Sequence, residues 1–183
     1  AAVRGVEPGG GALVLLSGGT TALPKLIPRT HDDYVLNAKA SGRVARIDES
    51  TVMLIILPLG HNYNLASPGM LACFAVGATV VLAPGHAAEV VFPLVERHRV
   101  TLIPAAVPLV TAWLNSDEPS RHDLSSLRIV QNGGARLAPE LRRRVREQWG
   151  CIAQEVYGTA EGLINIVPPD ASDELLLESF RRG

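Results

Sequence analysis

Short apolar runs alternate along the chain with amphipathic stretches and with clusters of glycine, proline and small hydroxyl residues. Ala12–Leu16 reads as a buried strand, followed by a Gly/Thr/Pro-rich loop over residues 17–28. Thr30 then opens a helix, with Asp33 three positions on as an approximate capping box. The run Thr51–Leu57, TVMLIIL, is continuous and β-branched, the pattern of a strand covered on both faces. Pro58 and Gly60 end it. Ser67-Pro68 marks the start of a helix running to about Val76, with Gly77 as its stop. Further strands are predicted at Ala78–Leu82, Thr101–Ile103, Arg128–Gln131, Ile152–Val156 and Leu163–Val167, and helices over residues 87–98 and Val107–Leu114. Leu137, Leu141, Val145 and Trp149 recur at every fourth position and make one apolar helix stripe. Residues 170–183 are polar with a short leucine run and close no recognisable element.

Strands alternating with helices imply an α/β fold with a largely parallel sheet flanked by helices. Ligands of such sheets bind where loops leave the carboxyl ends of the strands. The Gly-rich and polar segments stand after residues 16, 57, 131 and 156, at the ends of predicted strands. The 183 residues suit one domain or one large subdomain.

Composition narrows the function classes. Seventeen basic and 18 acidic side chains nearly cancel, so neither nucleic acid nor an anionic membrane is an expected partner. Arg142, Arg143, Arg144 and Arg146 form one basic cluster, read as the solvated face of a helix. Cys73 and Cys151 lack metal-ligand or disulfide-framework spacing and read as buried free thiols. No apolar run approaches the ~20 residues that span a bilayer. A soluble, cytoplasmic chain is expected.

Chemistry concentrates in four segments. Ser17-Gly18-Gly19-Thr20-Thr21, with Lys25 beyond, combines exposed backbone amides, hydroxyls and a cation. Such a loop can wrap an anion, although the spacing is not that of a Walker loop. His61-Asn62-Tyr63 and Ser67 follow the strongest strand. They make either a structural turn or a site for a ring with polar substituents, since such groups are expensive to bury without partners. Gln131-Asn132-Gly133-Gly134-Ala135 is a tight turn at a strand end, and Tyr157-Gly158-Thr159-Ala160-Glu161-Gly162 is another polar strand exit.

The first segment, SGGTTALPK, resembles the phosphate-binding signature of the adenylate-forming superfamily, which comprises acyl-CoA synthetases, luciferases and peptide-synthetase adenylation domains. Its continuation KLIPRTHDDY is similar to the branch that activates 2,3-dihydroxybenzoate or salicylate for siderophore assembly. The resemblance implies that the chain is part of the large N-terminal domain of such an enzyme. Residues 1–183 are then a partial AMP-binding domain, cut at both ends, without the ribose-binding Asp segment, hinge and C-terminal lysine. It implies ATP and Mg²⁺ as cofactors and an aryl acid as substrate. The aryl-AMP product is passed to the phosphopantetheine arm of an aryl carrier protein.

Site roles follow from the same match. Ser17, Gly18, Gly19, Thr20, Thr21 and Lys25 bind phosphate. Asn62 contacts the ring 2-hydroxyl, Tyr63 packs on the ring, Ser67 lines its far end and suits a 3-hydroxyl, and Ile164 forms an apolar wall. His61 stands near the carboxylate and the entering phosphate. Gly133, Gly134 and Ala135 let ring and adenine approach the backbone. Tyr157, beside Gly158, stacks on adenine. Glu161 helps hold Mg²⁺. His61 and Glu161 are the expected catalytic residues. Two other readings are an acyl- or aryl-CoA ligase fragment and a truncated, non-catalytic nucleotide-binding remnant.

Overall fold

The computed structural model describes residues 5–16 and 23–178. Six strands form one sheet: β3 (Val52–Ile55), β4 (Thr79–Leu82), β5 (Leu102–Ala106), β6 (Ile129–Gly133), β7 (Ile152–Gly158) and β8 (Ile164–Ile166). Their spatial order is β4-β3-β5-β6-β7-β8. The pairs from β4 through to β7 are parallel, and β8 runs antiparallel to β7. The parallel α/β expectation therefore holds. A separate antiparallel hairpin joins β1 (Gly11–Leu16) to β2 (Leu26–Thr30).

Successive residues of β3 point to opposite faces of the sheet, and the two sides bury different helices. Leu54 and Ile56 share a core with α4 (Ala88–His98), α5 (Val107–Leu114) and α6 (Pro139–Trp149). There Phe92, Trp113 and Trp149 meet at centroid distances of 5.7–6.4 Å, in tilted or edge-on pairs. Met53 and Ile55 face the other way, toward Ala45 and Ile47 beyond α1 (His31–Val44) and toward Ala72 and Cys73 of α3 (Gly69–Val76). This two-sided cover explains why TVMLIIL lacks polar alternation. Thr30 caps α1 by accepting from the Asp33 amide, and Gly77 ends α3 in the left-handed region at φ 77°.

Several expectations need correction. Ala12–Leu16 is a strand but not a buried one, with Val14 55% and Leu16 65% exposed and only Leu15 covered. It also lies outside the parallel sheet. The expected loop over 17–28 gives way to strand at Leu26, so Pro28 sits within β2. Ser67 does not cap α3: it ends a short helix, α2 (Asn62–Ala66), and Pro68 takes the cap position without a side-chain bond. β5 continues past Ile103 through Pro104 to Ala106, paired with β6 along its length. The polar tail forms α7 (Asp173–Glu178), anchored by buried Leu176. Arg142 is not on a solvated face. Its guanidinium is buried on Glu155 at 3.2 Å.

Both cysteines are buried free thiols, pushed up to about 12 by burial, which keeps them protonated and unreactive. Among the described residues, no helix is long and apolar enough to cross a membrane.

Candidate functional site

The carboxyl ends of β3, β5, β6 and β7 open onto one cleft of about 920 Å³. Each wall comes from a different strand exit. The segment after β3 gives His61, Asn62, Tyr63 and Ser67; β5 gives Ala105 and Ala106; the end of β6 gives Gly133 and Gly134. β7 and its exit supply Gly158, Thr159, Ala160 and Glu161, and Ile164 of β8 closes that side. Val14, Leu15 and Leu16 of the hairpin form the apolar face opposite.

Local chemistry sets what each wall presents. His61 is the N-cap of α2, and its Nδ1 accepts from the Tyr63 amide at 3.2 Å. With Nδ1 used as an acceptor, the neutral ring carries its proton on Nε2. Asn62 is buried and accepts from the Tyr34 hydroxyl at 2.8 Å. Ser67 is buried and accepts from Asn37 Nδ2 at 2.9 Å. Tyr63 presses its ring on Gly133, where an added Cβ would lie 3.0 Å from the ring edge. A side chain there would push the ring out of place, so glycine serves the tyrosine as well as any ligand. Gly134 follows at φ 82°, a turn that residues with a Cβ rarely make.

The β6 turn is held from behind. Asn132 Nδ2 donates to the Ala135 carbonyl at 2.6 Å and faces the Glu155 carboxylate at 3.3 Å. Glu155 also accepts from the Leu137 amide at 3.0 Å, and Arg142 completes the cluster. Burial raises the Glu155 carboxyl, and Arg142 opposes that shift. Burial likewise raises the Tyr63 phenol, and the Glu155 charge adds to it.

Arg29 braces the opposite wall. Its guanidinium bonds both Asp33 oxygens and donates to the Ala160 carbonyl at 2.8 Å. It also lies 5.3 Å from the centre of the Tyr34 ring. The loop bearing Glu161 is thereby tied to the start of α1.

Of the residues the sequence singled out, His61, Asn62, Tyr63, Ser67, Gly133, Gly134, Gly158, Glu161 and Ile164 meet in this cleft. Ala135, Tyr157 and Lys25 do not line it, and Tyr157 is 54% exposed. Ser17, Gly18, Gly19, Thr20 and Thr21 lie outside the described residues. Sequence reasoning missed the hairpin wall, Ala105 and Ala106, and the Arg29 brace. The exposed apolar positions of β1 had no signal beyond their hydrophobicity, which pointed to burial.

The donor set decides which groups fit. Among the described residues, no three His, Cys, Asp or Glu side chains converge on a metal position. Glu161 is one exposed carboxylate on the cleft wall, which does not fit a protein-built cage. It fits a Mg²⁺ ion held mainly by phosphate oxygens. Among the described residues, four buried side-chain polar atoms lack hydrogen-bond partners: Tyr63 Oη, Asn64 Oδ1, Gln131 Oε1 and Asn132 Oδ1. Tyr63 and Asn64 line the cleft, as expected of a place that receives a polar ligand or water.

Comparison with known proteins agrees with this geometry. Residues 2–179 match the AMP-binding enzyme family. The 2,3-dihydroxybenzoate-AMP ligase of Bacillus subtilis is 45% identical over 168 residues, covering 92% of this chain and 31% of that protein. The salicyl-AMP ligase / salicyl-S-ArCP synthetase of Mycobacterium tuberculosis is 47% identical over 168 residues, 90% of this chain and 30% of that protein. Among solved structures, apo MbtA of Mycobacterium smegmatis superposes with a TM-score of 0.84 at 38% identity, over 96% of this chain and 32% of its own. The anthranilate CoA ligase AuaEII, in complex with anthranoyl-AMP, superposes at 0.81 with 28% identity, over 90% of this chain and 33% of its own. The chain thus spans 30–31% of the length of these two curated relatives.

Proposed function

The chain belongs to the AMP-binding enzyme family, and from that premise we propose that its cleft holds an aryl acid, 2,3-dihydroxybenzoate or salicylate, beside the α-phosphate of ATP for conversion to aryl-AMP. The observation that carries this reading is the meeting of four separate strand exits in one cleft. His61, Asn62, Tyr63 and Ser67 line it together with Gly133, Gly134 and Glu161.

In the proposed reaction the aryl carboxylate attacks the α-phosphorus, and pyrophosphate leaves. No protein nucleophile takes part, so the residues act by positioning and by stabilising charge. Tyr63 and Ile164 sandwich the ring, while Asn62 and Ser67 hold its oxygens. His61, with its proton on Nε2, donates toward the carboxylate or the α-phosphate. The apolar hairpin wall limits water at the reacting centre. Ser17, Gly18, Gly19, Thr20, Thr21 and Lys25 bind the phosphates, and Gly133, Gly134, Ala135, Tyr157 and Gly158 form the adenine site. Glu161 is the residue that would hold Mg²⁺, which when bound neutralises charge on the phosphates. The thiol of a phosphopantetheine arm on an aryl carrier protein then attacks the carbonyl carbon of aryl-AMP, forming the thioester and releasing AMP. Support for the acid and the carrier comes from the relatives, which include a 2,3-dihydroxybenzoate-AMP ligase and a salicyl-S-ArCP synthetase.

Thermal unfolding tests the reading. ATP with Mg²⁺ and either acid should each raise the melting temperature, and the two together more than either alone. At a hundredfold excess over Kd, each binding event stabilises by about 2.7 kcal/mol. A protein indifferent to both hydroxybenzoates contradicts it.

A further inference from the structure

Two polar side chains of the candidate aryl pocket, Asn62 and Ser67, are each engaged from behind by α1. Tyr34 and Asn37, three positions apart, lie on one face of that helix. We propose that Tyr34 and Asn37 are positioning residues that turn Asn62 and Ser67 into hydrogen-bond donors toward the bound acid, so that the cleft selects ring hydroxyls over ring amines. This rests on the aryl-acid reading above and goes beyond it by assigning the polarity of the pocket.

The hydroxyl of Tyr34 donates to Asn62 Oδ1 at 2.8 Å, with both groups buried. That proton has no other acceptor among the described residues. The opposite amide orientation would aim N–H groups at the hydroxyl and leave its buried proton unpaired. The Tyr34 contact therefore fixes the amide, with Oδ1 inward and Nδ2 turned away from Tyr34. Nδ2 has no partner among the described residues, and Asn62 lines the cleft. Burial raises the Tyr34 phenol above its ordinary range, so the donating proton stays in place through neutral pH.

Asn37 repeats the device one turn on. Its Nδ2 donates to Ser67 Oγ at 2.9 Å and to the Ala66 carbonyl at 3.0 Å. The Ser41 hydroxyl donates within α1 to the Asn37 carbonyl at 2.7 Å, with a longer contact of 3.1 Å to the Ala66 carbonyl. Ser67 Oγ is thus already an acceptor, and its own proton has no acceptor among the described residues. Ser67 also lines the cleft.

Both groups then offer N–H or O–H toward the ligand. A phenolic oxygen has lone pairs to receive them. A ring amine presents N–H groups of its own, and its lone pair is delocalised into the ring. The pair of donors accepts a hydroxybenzoate and opposes an aminobenzoate of the same shape.

Calorimetric titration of the full chain with salicylate, anthranilate, benzoate and 2,3-dihydroxybenzoate tests this, after circular dichroism has shown that each variant is folded. The wild-type chain should bind salicylate more tightly than anthranilate. Tyr34→Phe should lower that preference about three- to tenfold, the worth of one neutral hydrogen bond, while benzoate binding holds. Asn37→Leu reads the second position independently. It should lower the preference for 2,3-dihydroxybenzoate over salicylate by a similar factor. A purely structural role predicts equal loss for all the acids, and that result in either variant that folds overturns the proposal. Equal wild-type affinity for salicylate and anthranilate also overturns it while leaving the aryl-acid reading intact. Failure of the wild-type chain to bind any of the four acids removes that reading and the inference with it.

Discussion

Arg142 and Glu155 show how far a charged residue can depart from the face its neighbours suggest. Their side chains are 0% and 5% exposed and meet at 3.2 Å, behind the turn that carries Gly133 and Gly134. Burying two ions is costly, and removing one leaves the other uncompensated. Glu155 also accepts from the Leu137 amide, so its loss strands a buried donor as well. Glu155→Ala should therefore destabilise the fold by about 3–5 kcal/mol in urea unfolding. Glu155→Gln, which retains an acceptor for Leu137, should cost less. A loss below about 1 kcal/mol for the alanine variant would mean that the pair does not hold the turn. This burial is not legible in the pattern of residues, because Arg142 stands one position off the Leu137, Leu141, Val145, Trp149 stripe within a basic run. Periodicity places an arginine beside the core but does not say whether an acid awaits it across the sheet. By contrast, His61, Asn62, Tyr63 and Ser67 were legible as a group, because so many polar residues after a buried strand need a shared destination.

Elements with a strong local signal were the readable ones. The Thr30 cap, the Gly77 stop and the continuous β3 run each depend on neighbours within a few positions. The β1–β2 hairpin depends on pairing across a loop, and Pro28 and Pro104 argued against the strands that contain them. Pro28 is tolerated in a strand of a two-stranded ribbon, and Pro104 lies in β5 opposite Gln131. Leu16 and Val14 read as core because apolar runs usually are, whereas in the fold they face the cleft. Helix packing places α1 where it can orient the pocket. α1 crosses α3 closely at Gly42, where an added Cβ would stand 2.9 Å from Ala72 Cβ. Gly42→Ala should force these helices apart and cost about 1–3 kcal/mol of stability by overpacking. It should also weaken aryl-acid binding, since Tyr34 and Asn37 ride on α1. Urea unfolding and calorimetry of the same variant check both effects. Unchanged stability would show that the two helices can separate freely.

At the scale of the molecule, a parallel sheet with helices on both faces brings four strand exits to a common edge. Loops distant in sequence become neighbours there, as in other open α/β sheets. The alternation of elements made this architecture legible, and the motifs made the cleft's main walls legible. The Arg29 brace and the buried Asn132–Glu155–Arg142 cluster were not, because they join residues far apart in the chain. The proposed function requires one cleft to take an aryl group and an adenylate side by side. The most direct measurement is a competition titration of the full chain with a stable aryl-acyl-adenylate analogue. One site per chain is expected, with salicylate and AMP each displacing the analogue and the analogue binding more tightly than either. Salicylate and AMP that leave the analogue bound, or that occupy sites independent of it, would rule out a shared cleft.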